Sequence, residues 1–117
     1  MVFVCYPKCT TCQKAKRWLD SKGISYEERN IKEEKPTADE LRQWVAASGL
    51  RARKFFNTSG LLYRSMNLKE KLDAGMSEEE QIQLLATDGM LVKRPILVTE
   101  NQIFVGFQED KWRGLLK

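Results

Sequence analysis

Two cysteines separated by two threonines, Cys9 and Cys12, are the residues whose type and spacing can carry chemistry. If they begin a helix, Cys12 follows Cys9 by close to one turn, so the two sulfurs can form a reversible disulfide in which Cys9 attacks and Cys12 resolves the mixed disulfide. The chain has no histidine, which excludes Ser/His/Asp triads, Cys/His dyads and histidine acid–base chemistry. Catalysis must therefore use thiols, carboxylates, lysines, arginines or backbone amides.

The surroundings of Cys9 favour a thiolate. It stands between a short apolar run and a helix-forming segment, so we expect it at a helix N-terminus, where N–H groups are unpaired and the helix dipole is positive. Lys8 precedes it, and Lys14, Lys16 and Arg17 follow within two turns. Positive charge lowers the pKa of a neighbouring thiol. Lys8 is also a candidate for anion binding.

A metal site is one alternative for the cysteine pair. A structural zinc site takes four ligands, and without histidine the chain adds only Cys5 to the pair, so no metal is predicted. Two inert cysteines at chance spacing are a second alternative, but the strand–loop–helix context is the one that thiol redox chemistry needs. Cys5 lies inside the predicted strand, and we expect it to be a small buried apolar residue.

Composition and charge limit the class of protein. The chain has 117 residues, 42% hydrophobic and 31% charged, which predicts one domain spanning residues 1–117. Its net charge of +4 comes from dispersed basic residues, so we expect no direct nucleic-acid binding. No apolar run has the roughly 20 residues of a membrane span, and the start lacks a signal-peptide pattern. We therefore expect a cytoplasmic protein, and a monomer because no heptad seam is present.

The first elements predicted to position the cysteines form a β-α-β unit. An apolar run over 2–6 reads as a buried strand, 9–22 as a helix that ends before Gly23, and 25–31 as a second strand. The helix carries a narrow inward face at helical spacing, formed by Ala15, Trp18, Leu19 and Lys22.

The middle of the chain, about residues 36–90, is predicted to be a helical insertion. Thr37 with Glu40 and Ser77 with Glu80 match the capping-box pattern. The first box opens a helix that ends at Gly49, and the second opens one that ends before Asp88-Gly89. Between them, 51–56 predicts a short helix and 61–72 a longer one whose inward residues are Leu62, Met66 and Leu72.

The last segment is predicted to be a hairpin followed by a helix. Residues 95–99 and 102–107 read as strands around a turn at 100–101, and 109–116 as a helix with Trp112, Leu115 and Leu116 on one side. Together the elements predict an α/β protein with a thioredoxin-like mixed sheet, βαβ … ββα, and a helical insertion.

Arg94-Pro95 is the second candidate for the site. A proline at the first residue of a strand is an ordinary strand start. If it faces the thiols in a thioredoxin-like fold, a cis Pro95 exposes the preceding backbone to substrate. Arg94 then binds an anion or holds the thiolate charged. The alternative is a surface arginine beside Lys93.

The run Tyr6-Pro7-Lys8-Cys9-Thr10-Thr11-Cys12, the following helix and Lys93-Arg94-Pro95-Ile96 resemble the arsenate reductase family, which includes the Spx transcriptional regulators. The resemblance covers nearly the whole chain, including the stretch 54–60. It implies that Cys9 matches the cysteine that attacks arsenate and that Arg94 matches an arginine that binds the oxyanion before a cis proline. It also implies no prosthetic cofactor, with glutathione/glutaredoxin or thioredoxin as external reductant.

The sequence departs from the arsenate reductase pattern at three positions. Two further arginines of glutaredoxin-dependent arsenate reductases correspond to Asn57 and Gly106 here, and Asn57 is a further candidate for anion binding. Cys12 supplies an internal resolving thiol, as in the redox-sensing pair of Spx. Two functions are therefore expected: a thiol–disulfide oxidoreductase acting on a small oxyanion or a disulfide, or an Spx-like regulator that binds the C-terminal domain of the RNA polymerase α subunit.

Overall fold

A mixed sheet of four strands lies at the centre of the computed structural model, which describes residues 1–116 apart from the side chain of Leu116. The strands are β1 (Val2–Cys5), β2 (Glu27–Asn30), β3 (Ile96–Val98) and β4 (Ile103–Val105), in the order β2-β1-β3-β4. β1 is parallel to β2 and antiparallel to β3, and β3 is antiparallel to β4. The predicted α/β class and mixed sheet are confirmed. The expected packing of Leu116 lies outside the described residues.

Helix α1 (Thr10–Ser21) forms the crossover between the parallel strands β1 and β2. Its buried residues are Cys12, Ala15, Trp18 and Leu19, so the predicted apolar face is correct in three of its four members. The prediction was wrong at Lys22, which is exposed and forms the C-cap. At that position the helix has ended, and the residue no longer belongs to a helical face.

The insertion contains four helices, α2 (Ala38–Ser48), α3 (Leu61–Ser65), α4 (Leu68–Asp73) and α5 (Glu78–Leu85). The Thr37–Glu40 capping box is complete, and α2 ends at Gly49 in the left-handed region (φ 72°). At α5 the box is half formed, because the Ser77 hydroxyl accepts from the Glu80 N–H without the reciprocal bond to the Ser77 backbone. A short 3₁₀ turn, Ala52–Phe55, replaces the helix expected over 51–56.

The single helix predicted over 61–72 was wrong. The chain breaks at Asn67, whose left-handed backbone (φ 56°, ψ 43°) separates α3 from α4. Asn is one of the few non-glycine residues that adopt this conformation readily. The change of direction buries Leu68 and Leu72 and leaves Leu62 and Met66 half-buried.

The side chains of the sheet pack into two apolar clusters, one on each face. Val4 points to the insertion, whereas its neighbours Phe3 and Cys5 point to α1 and to α6 (Glu109–Trp112), as the alternation of a strand requires. Fully buried Trp112 makes edge or tilted contacts with Phe3, Trp18, Phe104 and Phe107. The chain continues from α6 as a 3₁₀ turn, Arg113–Leu116. None of the helices within residues 1–116 is long and apolar enough to cross a membrane.

Candidate active site

Cys9 is the N-cap residue of α1. Its backbone is extended (φ −85°, ψ 124°), and its N–H donates to the Tyr6 carbonyl at 3.0 Å, which closes the loop between β1 and the helix. The residue is partly exposed. The sulfur is therefore held at the positive end of a twelve-residue helix and is accessible to a substrate.

Cys12 lies one turn further along α1 and is 2% exposed. The Tyr6 N–H points at its sulfur, 3.4 Å away. Burial, together with the negative charge of a neighbouring Cys9 thiolate, raises the pKa of the Cys12 thiol to about 12, although the Tyr6 N–H acts in the opposite direction. The Cys12 sulfur therefore keeps its proton while Cys9 ionises. Both cysteines are free thiols in the structure.

The pKa of Cys9 is held below its ordinary value. Partial burial acts to raise it, but the backbone N–H of Cys12, the Cys12 thiol and the guanidinium of Arg94 all favour the thiolate and outweigh burial. The two thiols of the pair therefore have pKa values displaced in opposite directions. The thiolate form is therefore favoured at Cys9 and the thiol form at Cys12.

Arg94 faces the cysteine pair from the loop that leads into β3. The Arg94–Pro95 peptide is cis. The arginine Cζ lies 5.2 Å from the centre of the Tyr6 ring, which fixes the side chain by a cation–π contact. Its Nε and Nη1 atoms are buried and have no hydrogen-bond partner among the described residues. Buried donors of this kind are costly unless a ligand or water satisfies them, so the guanidinium is suited to receiving an anion.

A cleft of about 770 Å³ opens beside Cys9. Cys9, Asn57, Arg94 and Gly106, which are distant in sequence, all line it. An isolated bridge between Phe56 and Val92 joins two of its walls, supported by hydrogen bonds from the Asn57 N–H to Leu91 and from the Lys93 N–H to Phe55. The helical insertion therefore supplies one side of the cleft, and the segments just before β3 and just after β4 supply the other.

Four of the residues singled out in the sequence do not line the cleft: Cys12 and Pro95, which are both buried, and Lys8 and Cys5. Lys8 is exposed and does not line the cleft. Cys5 is 3% exposed in the cluster beneath α1, and burial raises the pKa of its thiol to about 11. Cys5 is therefore an apolar packing residue, as expected. Within residues 1–116 no group of three or more Cys, Asp or Glu side chains is arranged to hold a metal ion.

Several lining residues were missed by the sequence reasoning. Lys93 was considered only as a neighbour of Arg94, yet it lines the cleft, as do Thr11, Leu61, Met90, Phe107 and Gln108. Leu61 is 81% exposed, which is unusual for a large apolar residue. The local signals were the proximity of Thr11 to Cys9, of Lys93 to Arg94 and of Phe107 to Gly106. The remaining contributions depend on packing between distant segments.

A model of the ArsC family matches residues 5–115 of the chain. The protein YusI of Bacillus subtilis is 51% identical over 112 residues, which cover 96% of this chain and 94% of that protein. The global transcriptional regulator Spx of Staphylococcus saprophyticus is 33% identical over 110 residues, which cover 94% of this chain and 82% of Spx.

The fold matches a solved structure over almost its full length. An ArsC family related protein from Bacteroides fragilis superposes with a TM-score of 0.95 at 52% identity, and the match covers 97% of this chain and 95% of the other. The resemblance seen in the cysteine and arginine segments therefore extends to the whole fold.

Proposed function

Because the chain belongs to the ArsC family, we propose that it is a thiol–disulfide oxidoreductase in which Cys9 is the nucleophile and Cys12 the resolving thiol. One observation carries the proposal: an accessible Cys9 at the N-terminus of α1 lies next to a buried Cys12, and their pKa values are displaced in opposite directions. The accessible sulfur attacks a substrate, and the buried one acts only after Cys9 has been modified.

The reaction on a disulfide substrate has two balanced steps. The Cys9 thiolate attacks one substrate sulfur, so that a bond forms between the two sulfurs and the other half of the substrate leaves as a thiolate. The Cys12 sulfur then attacks Cys9, forms the Cys9–Cys12 disulfide and displaces the second half, and the Cys12 proton goes to a leaving thiolate. The substrate gains two electrons. Glutathione/glutaredoxin or thioredoxin then reduces the Cys9–Cys12 disulfide back to two thiols.

Arg94 and backbone amides supply the electrostatic part of the mechanism. The guanidinium stabilises the Cys9 thiolate before attack and, with its unpartnered Nε and Nη1, receives an anionic group of the substrate. The N–H groups at the start of α1 act on the same sulfur. Because the chain has no histidine, these groups replace the imidazole that activates thiols in other enzymes. Pro95 holds the backbone that faces the substrate.

A disulfide is favoured over arsenate as substrate. Arg94 is the one arginine among the described residues that line the cleft. Asn57 and Gly106 also line it, at the two positions matched to further arginines of glutaredoxin-dependent arsenate reductases. Each charge-assisted hydrogen bond that is missing costs about 1.5–3 kcal/mol, so arsenate binds here at least about ten-fold less tightly than at a site with three arginines. We place the protein in the cytoplasm, where reductants keep the pair reduced, and propose that it works as a monomer.

A paired assay tests the oxidoreductase. Reduced protein is mixed with hydroxyethyl disulfide or with arsenate, in the presence of glutathione and glutaredoxin or of thioredoxin, and turnover is compared for the native chain, Cys9→Ser and Cys12→Ser. After the rate of the reductants alone is subtracted, we expect turnover of the disulfide by the native chain, none by Cys9→Ser, and accumulation of a mixed disulfide on Cys12→Ser. Equal rates for native protein and Cys9→Ser would reject the proposal.

The identity to Spx supports a second function, a redox-sensing regulator that binds the C-terminal domain of the RNA polymerase α subunit. In that case the Cys9–Cys12 disulfide changes the affinity for the polymerase domain instead of completing a catalytic cycle. Titration of the isolated domain with reduced and oxidised protein tests this function. Absence of binding in both redox states rejects it, and binding in one state alone supports it.

A further inference from the structure

A second hollow adjoins the cleft beside Cys9. It has a volume of about 420 Å³ and lies along β4, and the two hollows share Lys93, Gly106 and Gln108 in their walls. Together they exceed the roughly 300–1,000 Å³ of a typical small-molecule site. A substrate that extends from Cys9 past Gly106 therefore reaches a surface that a small disulfide leaves empty.

Apart from the Cys9 thiolate, the charged side chains that line the two hollows are all positive. Arg94 lies in the first hollow, Lys93 in both, and Lys54 and Lys111 in the second, whereas neither wall contains an Asp or a Glu. The four residues come from three separate regions of the sequence, so folding gathers charges that are dispersed along the chain. The ammonium groups of Lys54, Lys93 and Lys111 form no ion pair within residues 1–116, in contrast to Lys16, which pairs with Glu28. They are therefore available to an acidic ligand.

Gly106 lies in the wall that the two hollows share. Its backbone has φ 76°, a conformation suited to glycine, and an added Cβ would lie 3.0 Å from Cε and 3.7 Å from Nζ of Lys93. The space that a side chain at position 106 would fill is thus occupied by the lysine. The ammonium of Lys93 therefore lies beside Gly106 in the wall that both hollows share, while Arg94 lines the first hollow and Lys54 and Lys111 line the second.

We propose that the substrate of Cys9 is a disulfide in an acidic polypeptide, whose carboxylates lie along a track formed by Arg94, Lys93, Lys54 and Lys111. The proposal rests on the proposed oxidoreductase function and names its substrate class. A polypeptide fits better than a nucleic acid because the track begins at Cys9, and the thiol–disulfide exchange proposed there needs a disulfide in the substrate. It fits better than a small acidic disulfide because Lys54 and Lys111 lie in the second hollow.

The test uses three peptides of equal length with one central cysteine, activated as the neutral thiopyridyl disulfide and flanked by Glu, Gln or Lys. Cys9 displaces thiopyridone, whose release is followed in a single turnover of reduced protein. Since an exposed charge pair contributes little alone but several add up, we expect the Glu peptide to react about ten-fold faster than the Gln peptide. The Lys peptide reacts more slowly still, and salt reduces the difference.

Variants separate the track from the general charge of the protein. The track variants are the double variant Lys54→Gln/Lys111→Gln and the triple variant that adds Lys93→Gln. The control is the triple variant Lys32→Gln/Lys69→Gln/Lys71→Gln, which changes three exposed lysines that line neither hollow. We expect the track variants to lose the preference for the Glu peptide and the control to keep it. Equal loss in the control, or no preference in native protein, overturns the proposal.

Three further probes distinguish other ligands. Thioglycolate disulfide is a small acidic substrate that reaches only Arg94 and Lys93, so we expect Lys54→Gln/Lys111→Gln to leave its rate unchanged. If that variant also leaves the Glu peptide unaffected, the track is not used and the proposal fails. Inhibition by a single-stranded oligonucleotide at lower concentration than by a cysteine-free Glu peptide overturns it in favour of nucleic acid. Hydroxyethyl disulfide is neutral and reports the oxidoreductase without the track. If the protein reduces it but reacts equally with the Glu, Gln and Lys peptides, the track is refuted and the oxidoreductase stands. If Cys9 reacts with none of these disulfides, the oxidoreductase itself is refuted.

Discussion

The Tyr6 backbone N–H lies 3.4 Å from the Cys12 sulfur, at the point where β1 passes into the cysteine loop. This contact ties the buried thiol to the end of the central strand, while the Tyr6 carbonyl accepts from the Cys9 N–H at 3.0 Å. One residue therefore positions both members of the pair. The two sulfurs are held in fixed relation to the strand, and α1 does not have to move for the buried thiol to lie near the accessible one.

Replacing Cys12 by alanine is expected to raise the pKa of Cys9. The variant removes the thiol that favours the Cys9 thiolate but keeps the backbone N–H at that position. A raised pKa leaves less thiolate at neutral pH, so alkylation by iodoacetamide slows there by about three- to ten-fold. The pH midpoint of alkylation is the measurement. Cys5→Ala is the matched control and leaves that midpoint in place. A midpoint in Cys12→Ala at or below that of the native protein contradicts the prediction.

Arg94→Gln is expected to make the thiolate form of Cys9 less favourable, because the positive charge beside it is lost. Gln keeps hydrogen-bonding groups near Cys9 but removes the positive guanidinium, so the pKa of Cys9 rises. We expect alkylation at neutral pH to slow by about ten-fold, which corresponds to a charge-assisted contact. Arg94→Lys retains the charge and recovers part of the rate. Thiolate absorbance in the ultraviolet, followed against pH, checks both variants, and an unchanged titration in Arg94→Gln would show that the backbone N–H and the thiol of Cys12 lower the pKa of Cys9 without Arg94.

The ion pair between Arg29 and Glu40 predicts a pH-dependent stability. It joins β2 to α2 through contacts of 2.7 and 2.9 Å, and the Arg29 hydrogen bonds lower the pKa of Glu40 from 4.5 to about 2 despite partial burial. A carboxyl group whose pKa is lower in the folded state stabilises the fold above its unfolded pKa. This stabilisation is lost as the pH falls from 4.5 to about 2.

Glu40→Gln measures that contribution. The Glu40 side chain is 34% exposed, so water screens the pair, and we expect a loss of about 1–2 kcal/mol in the free energy of unfolding at neutral pH. Gln can still accept from the Thr37 N–H in the capping box. Urea unfolding at several pH values is the measurement: the native and Glu40→Gln curves converge in acid. Glu33→Gln, an exposed control, changes stability little, and a constant difference at all pH values would contradict the interpretation.

The features of the fold that could be predicted from the sequence are those with local causes. The capping pattern of Thr37 and Glu40 marks the start of α2 because the hydrogen bonds span three residues. Alternation along β1 separates Val4 from Phe3 because neighbouring side chains of a strand point to opposite faces. The position of Cys9 at the start of α1 follows from the same local reading.

The cleft could not be predicted in the same way, because it depends on contacts between distant segments. The bridge between Phe56 and Val92 brings Asn57 beside the segment before β3. No periodic pattern encodes such a pairing. The break at Asn67 was missed for a related reason: helix propensity across 61–72 is adequate, and packing decides where the chain turns. The place of Lys93 in the cleft wall could not be predicted, because the contact of its side chain with Gly106 depends on how the hairpin folds.

Asn57→Arg is expected to increase the use of arsenate. Asn57 is half-buried in the cleft wall with Cys9 and Arg94, and within residues 1–116 its side chain makes no hydrogen bond. An arginine there adds a charge-assisted contact worth about 1.5–3 kcal/mol, so arsenate-dependent turnover with glutathione and glutaredoxin rises about ten-fold or more. Gly106→Arg is the contrasting variant. Its backbone at φ 76° and the Lys93 side chain oppose any added side chain, so it loses stability without gaining arsenate turnover. If Gly106→Arg gained as much arsenate turnover as Asn57→Arg, the Lys93 side chain would have to move aside at little cost. That result would contradict the prediction and would also weaken the role of Lys93 in the track.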